Sequence, residues 1–219
     1  LPSATILNRQ QRLRAVGVRT IAIAGLAATL ALPLAGSLAQ DATPVASDPF
    51  DPANCTTAPI STDHMSMLLA TPVASPDRPV DANGVVQLPS GVTTSDTDMA
   101  LVQATIDQLW ACNNARNKAA VYALFTDQAI QETIGFTDGA SWDAADLRAD
   151  VAAALTPGEP RTADELATVN AVVSATTYPD GQIGVLLLNT DPLVADGDQV
   201  LDYFRFVIVD GVPKVSGVI

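Results

Sequence analysis

"LWACNNARNKAAVYALFTD", Leu109 to Asp127, carries one helical pattern, a break and a second helical pattern in quick succession. Upstream of it, Met99, Val102, Ile106, Leu109 and Asn113 recur at steps of three and four after the capping cluster "TTSDTD". That spacing predicts an amphipathic helix of about five turns. Trp110 flanks its apolar face on one side, and Cys112 flanks it on the other beside Leu101 and Thr105. Asparagine is favoured at caps and in left-handed turns, so the asparagines of "CNNARN" read as helix punctuation. Asn114 or Asn117 is expected to cap a second helix, Lys118 to Phe125, with Val121, Leu124 and Phe125 facing inward.

Downstream, "WDAADLRADVAAAL" predicts a third helix from about Asp143 to Leu155, stopped by "TPGEP". The apolar period then drops to two. Strands are expected at Leu166 to Thr177, Gln182 to Thr190, Gln199 to Val209 and Val212 to Val218, separated by "YPDG", "DPLVADGD" and "DG". Helices followed by a run of hairpins imply an α+β domain with an antiparallel sheet, residues 96–219.

Residues 40–95 have a different composition, rich in Pro, Ser, Thr, Ala and Asp, and cannot form a core alone. They read as a covering arm. "ATPVAS" occurs in it twice, at Ala42 and Ala70, on either side of a short patch in which Ser61 or Thr62 caps one helical turn through Met65, Met67, Leu68 and Leu69. Ahead of the arm, Arg9, Arg12, Arg14 and Arg19 precede the apolar run "TIAIAGLAATLALPLAGSLAQ". A basic region, an apolar region and small residues at Ser37 and Ala39 predict a signal peptide over residues 1–39, with cleavage after Ala39. The alternative is a retained anchor, against which Pro33 and Gly36 argue.

Export bears on Cys55 and Cys112, which both follow that point. Two cysteines in an oxidising compartment are most simply one disulfide, the alternative being two separately buried thiols. No metal site is expected, because His64 is the single histidine and no cysteine pair has ligand spacing. The formal charge is −13, and all the acidic residues lie beyond the first 39. Such a surface repels phosphates and anionic headgroups, so neither nucleic acid nor membrane is an expected partner of the mature domain.

The order of elements, "C-x-N-A" at the break and "ALFTD" closing the short helix resemble the nuclear transport factor 2-like superfamily, the cystatin-like cone that includes ketosteroid isomerases and polyketide cyclases. An exported chain with a cysteine in a Pro-rich arm and "CNNARN" resembles its uncharacterised secreted bacterial members. Arg116 stands where those have Gly, and Asn117 where they have an acid. The resemblance implies helices on a curved sheet around an apolar pocket, with Trp110, Phe125, Phe136, Trp142, Tyr203 and Arg205 as its ligand-binding side chains.

Among these, Phe136 and Trp142 would form a lid or fill the core, and Arg205 alternates onto the face of Tyr203 and Val207, opposite Phe204, Phe206 and Ile208. On a concave face Arg205 would be an anion receptor; on the other, a surface cation paired with a carboxylate. Alignment with the isomerases on "FTD" brings their base near Glu132 but puts no tyrosine near Asp107, where their oxyanion tyrosine would lie. The expected function is an exported, non-catalytic module without a cofactor that binds a small apolar ligand or a partner chain. The alternatives are an isomerase- or cyclase-like enzyme with Glu132 as base, and a structural domain forming a homodimer through its outer sheet face.

Overall fold

The computed structural model describes residues 48–71, 90–134, 144–193 and 197–218, all within one compact unit spanning Val45–Ile219. The signal-peptide segment, Phe136 and Trp142 lie outside the described residues. The chain runs from a 3₁₀ turn, Pro52–Asn54, through α1 (Thr62–Ala70), β1 (Val92–Thr93), α2 (Asp96–Asn114), α3 (Lys118–Ala123), α4 (Asp127–Ile134) and α5 (Ala144–Leu155) to the strands β2 (Thr168–Thr177), β3 (Ile183–Thr190), β4 (Gln199–Val209) and β5 (Val212–Val218). The sheet is antiparallel in the order β1-β2-β3-β4-β5. The fold is α+β, as the change of period from helical to two predicts.

Turn chemistry sets the hairpins. Asp210 and Gly211 both take positive φ, 51° and 79°, which is the type I′ turn that matches strand twist. Gly181, at φ 81°, ends the "YPDG" turn, where Tyr178 N–H bonds Gln182 O at 2.8 Å. Gly there supplies a left-handed residue without a Cβ clash. Register shifts at Val169/Ala171 and Val172/Ser174 mark irregularities in β2, and another at Arg205/Phe206 leaves Ser216 of β5 without a partner. Bulges of this kind bend the strand and redirect side chains.

Two apolar clusters hold the unit together. In the first, Val102, Ile106, Leu109 and Trp110 of α2 lie on Val185 and Leu187 of β3, Phe204 and Phe206 of β4 and Val215 of β5. In the second, Met65 and Leu68 of α1 pack with Ala119, Ile130, Leu147, Val151 and Leu155. Full burial of a side chain such as Leu68 stabilises by about 1.5–3 kcal/mol. The arm is therefore partly core: its helix has nine residues rather than a single turn, with Ser61 accepting the His64 N–H at its N-cap.

A disulfide joins Cys55 to Cys112, which is wholly buried. Gln108 of α2 reinforces the crossing by accepting from Thr56 N at 2.9 Å and donating to Asn54 O at 2.8 Å. Three details of the sequence reading change. The second helix ends at Ala123, because residues 124–126 pair with β5 instead: Val215 N–H bonds Leu124 O and Thr126 N–H bonds Val215 O. Glu132 stands inside a helix, α4, that its short apolar pattern did not reveal. And β2 starts at Thr168, since Ala167 is held by Asn114.

Asn117 caps α3, accepting from Ala120 N. Asn114 caps nothing. It is fully buried, donates to Phe50 O at 2.8 Å and Ala167 O at 2.9 Å, and accepts from Ala167 N at 2.9 Å. One amide thereby ties the arm, α2 and the entrance to β2.

Candidate functional site

The site begins at the end of β4. Alternation sends Phe204 and Phe206 into the α2 side of the sheet, where Trp110 meets Phe204 edge-on at 5.6 Å and Phe204 stacks on Phe206 at 6.3 Å. Tyr203, Arg205 and Val207 occupy the opposite face, as predicted from their spacing. There the Tyr203 and Tyr178 hydroxyls are hydrogen-bonded to each other above Gly184, where any Cβ would collide with both. Burial, reinforced by the Tyr178 hydroxyl, holds the Tyr203 phenol well above its ordinary range, with Arg205 pulling weakly the other way.

Arg205 lies opposite Gly184 on one neighbouring strand and Gly217 on the other. A Cβ at Gly217 would come within 3.2 Å of Nη2 and 3.3 Å of Nε. Bare backbone on that side lets the guanidinium lie close against the sheet. Its Nε is buried and has no hydrogen-bond partner, and no ion pair joins Arg205 to any described carboxylate. The pairing with a neighbouring carboxylate, one of the two alternatives for Arg205, is thus not made among the described residues.

A groove of about 480 Å³ runs from Arg205 to α4, lined by Thr126, Gln128, Glu132, Gln182, Val207 and Ser216. The pairing of residues 124–126 with β5 brings it about, by starting α4 at the edge of the sheet. Thr126 fixes that start by accepting from Ala129 N at 3.1 Å. Inside the groove the neutral side chains are partly tied to protein partners. Gln128 Nε2 bonds Glu132 Oε1 at 2.6 Å, Gln182 Nε2 bonds Asp180 Oδ2 at 3.0 Å, and Ser216 donates to Gln182 Oε1 at 3.0 Å. What remains is one guanidinium without an ion pair, the second carboxylate oxygen of Glu132 as the one anionic acceptor, and neutral amide and hydroxyl groups that can donate or accept.

Of the residues read from sequence, Glu132 and Arg205 therefore meet in one groove. Tyr203 is on the same sheet face but buried under its contact with Tyr178. Trp110 belongs to the first core cluster, and Phe125 packs against both clusters, edge-on to Tyr122 at 6.2 Å. His64 contacts Asp127 at 3.0 Å at the surface. Sequence reading missed Gln128, Gln182 and Ser216; the glycines flanking Arg205 in strand positions were the available signal. Among the described residues no group of three His, Cys, Asp or Glu side chains is placed to hold a metal ion, and no helix is long and apolar enough to cross a membrane. No family model, no curated protein and no solved structure matches the chain.

Proposed function

We propose that this is an exported, non-catalytic binding module of the nuclear transport factor 2-like kind that takes a small ligand in the groove between α4 and β4. Helices, a break after "CNNARN" and an antiparallel meander support the family reading, and the Cys55–Cys112 disulfide supports export. The observation carrying the binding reading is Arg205: a partly buried guanidinium that lines the groove and makes no ion pair with any described carboxylate. Native mass spectrometry of the secreted protein tests it. A co-purified small molecule that is lost in Arg205→Gln is the expected outcome; a clean apo mass for the wild type at every gentle ionisation setting speaks against it.

A catalytic reading has one observation in its favour, the presence of Glu132 and Arg205 in the same groove, where a base and an oxyanion receptor would be needed. The binding reading is preferred because Glu132 sits on α4 tied to Gln128, and the buried tyrosine pair does not line the groove. On an enolisable ketone, Glu132→Gln is expected to change nothing; a loss of about a hundredfold in turnover, the size of a missing general base, reverses the preference.

A further inference from the structure

We infer that the groove is built for a zwitterion of the amino-acid and short-peptide class, with its carboxylate on Arg205 and its ammonium on Glu132. This rests on the binding reading above and adds the ligand's chemistry to it.

The groove's unmade bonds are of two kinds. Arg205 lines the groove with its terminal nitrogens free of any ion pair, a planar pair of donors that suits a carboxylate. The opposite wall carries the groove's one carboxylate: the second oxygen of Glu132 and the amide oxygen of Gln128 accept there, beside the neutral Thr126 hydroxyl and the second Gln128 N–H. Those oxygens suit an N–H-bearing cation rather than a quaternary one, which has no proton to donate. The two charges do not neutralise each other, since no ion pair joins Arg205 to Glu132. A simple anion would satisfy Arg205 but would meet Glu132, and a chain of formal charge −13 repels it at long range. A simple cation would leave the Arg205 bonds unmade. A zwitterion satisfies both walls and, having no net charge, is not repelled at long range by the acidic chain. The volume, about 480 Å³, lies in the usual range for small-molecule sites.

The test is calorimetric titration of the full secreted protein with L-alanyl-L-alanine, its N-acetyl derivative and its C-terminal amide. Acetylation and amidation should each weaken binding by about tenfold or more, the size of one lost charged pair in a partly exposed site. Glu132→Gln should abolish the difference between amine and acetylated peptide while leaving that between acid and amide; Arg205→Gln should do the reverse. Arg205→Lys, which keeps the charge but not the fork, should fall between. Equal binding of the acetylated peptide to the wild type overturns the inference, as does acid-over-amide preference surviving in Arg205→Gln. If no peptide binds while native mass spectrometry finds another ligand, the zwitterion is wrong and the binding module stands. If neither experiment finds a ligand, both fall.

Discussion

Asn114 has no exposed surface and makes three hydrogen bonds, so its replacement leaves several backbone groups without partners rather than one. Asn114→Ala should therefore cost about 3 kcal/mol, more than loss of a cap, measured by denaturant unfolding. Gly184 is constrained from the other side of the sheet, and Gly184→Ala should displace the Tyr178–Tyr203 contact and lower the melting temperature. Tyr203 and Tyr122 also set an alkaline limit. Tyr203 and Tyr122 are both raised above the ordinary value of 10.0, so the folded state prefers them neutral. The stability this preference contributes is fully present below about pH 10 and is lost as pH rises above it, where the unfolded chain ionises first. Tyr203→Phe should flatten that alkaline decline in a pH series of melting curves, with the part due to Tyr122 remaining.

At the scale of elements, α2 ends on a left-handed residue. Arg116 N–H bonds Asn113 O and Asn117 N–H bonds Cys112 O, the paired bonds of a Schellman motif, and Arg116 takes φ 50° as its left-handed residue. Arg116 pairs with Glu165 only at 3.8 Å, with both side chains well exposed, so little is lost by removing it. Arg116→Gly should raise stability by about 1 kcal/mol, read as a higher denaturant midpoint. The arm is held by both a covalent bond and packing. Closing the loop between Cys55 and Cys112, 57 positions apart, restricts the unfolded chain by at most about 4 kcal/mol in the entropy model. Cys55→Ser and Cys112→Ser should lower the melting temperature alike, and the double variant should add little. Leu68→Ala should lower it independently by about 2–4 kcal/mol of stability, because α1 is docked by its own buried face.

For the whole molecule, α2 rests on one face of the sheet while the groove lies at the edge of the other, so core and site are built from alternate residues of the same strand, β4. The arm and the helices α3, α4 and α5 share the second cluster. Arg161, nearly buried, clamps Asp191 at 2.6 Å and 3.1 Å and so joins the chain before β2 to the end of β3. Removing one partner of such a pair leaves the other charge buried, and Asp191→Ala should cost about 3 kcal/mol or more in chemical unfolding.

The sequence by itself determined what local physics controls: the α2 period, the two-residue period of β3 to β5, the hairpin turn at "DG", and that Arg205 shares a face with Tyr203 and Val207. Each depends on neighbours within a few positions, where sterics and amphipathic spacing act directly. Pairing the only two cysteines needed no geometry either. Only the tertiary structure decided that Asn114 is a buried clamp and not a cap, because its partners, Phe50 and Ala167, lie 64 and 53 positions away. The same holds for the groove. Glu132 and Arg205 meet because residues 124–126 pair with β5 and begin α4 at the sheet's edge, and long-range backbone pairing of that kind leaves no periodic trace in the chain.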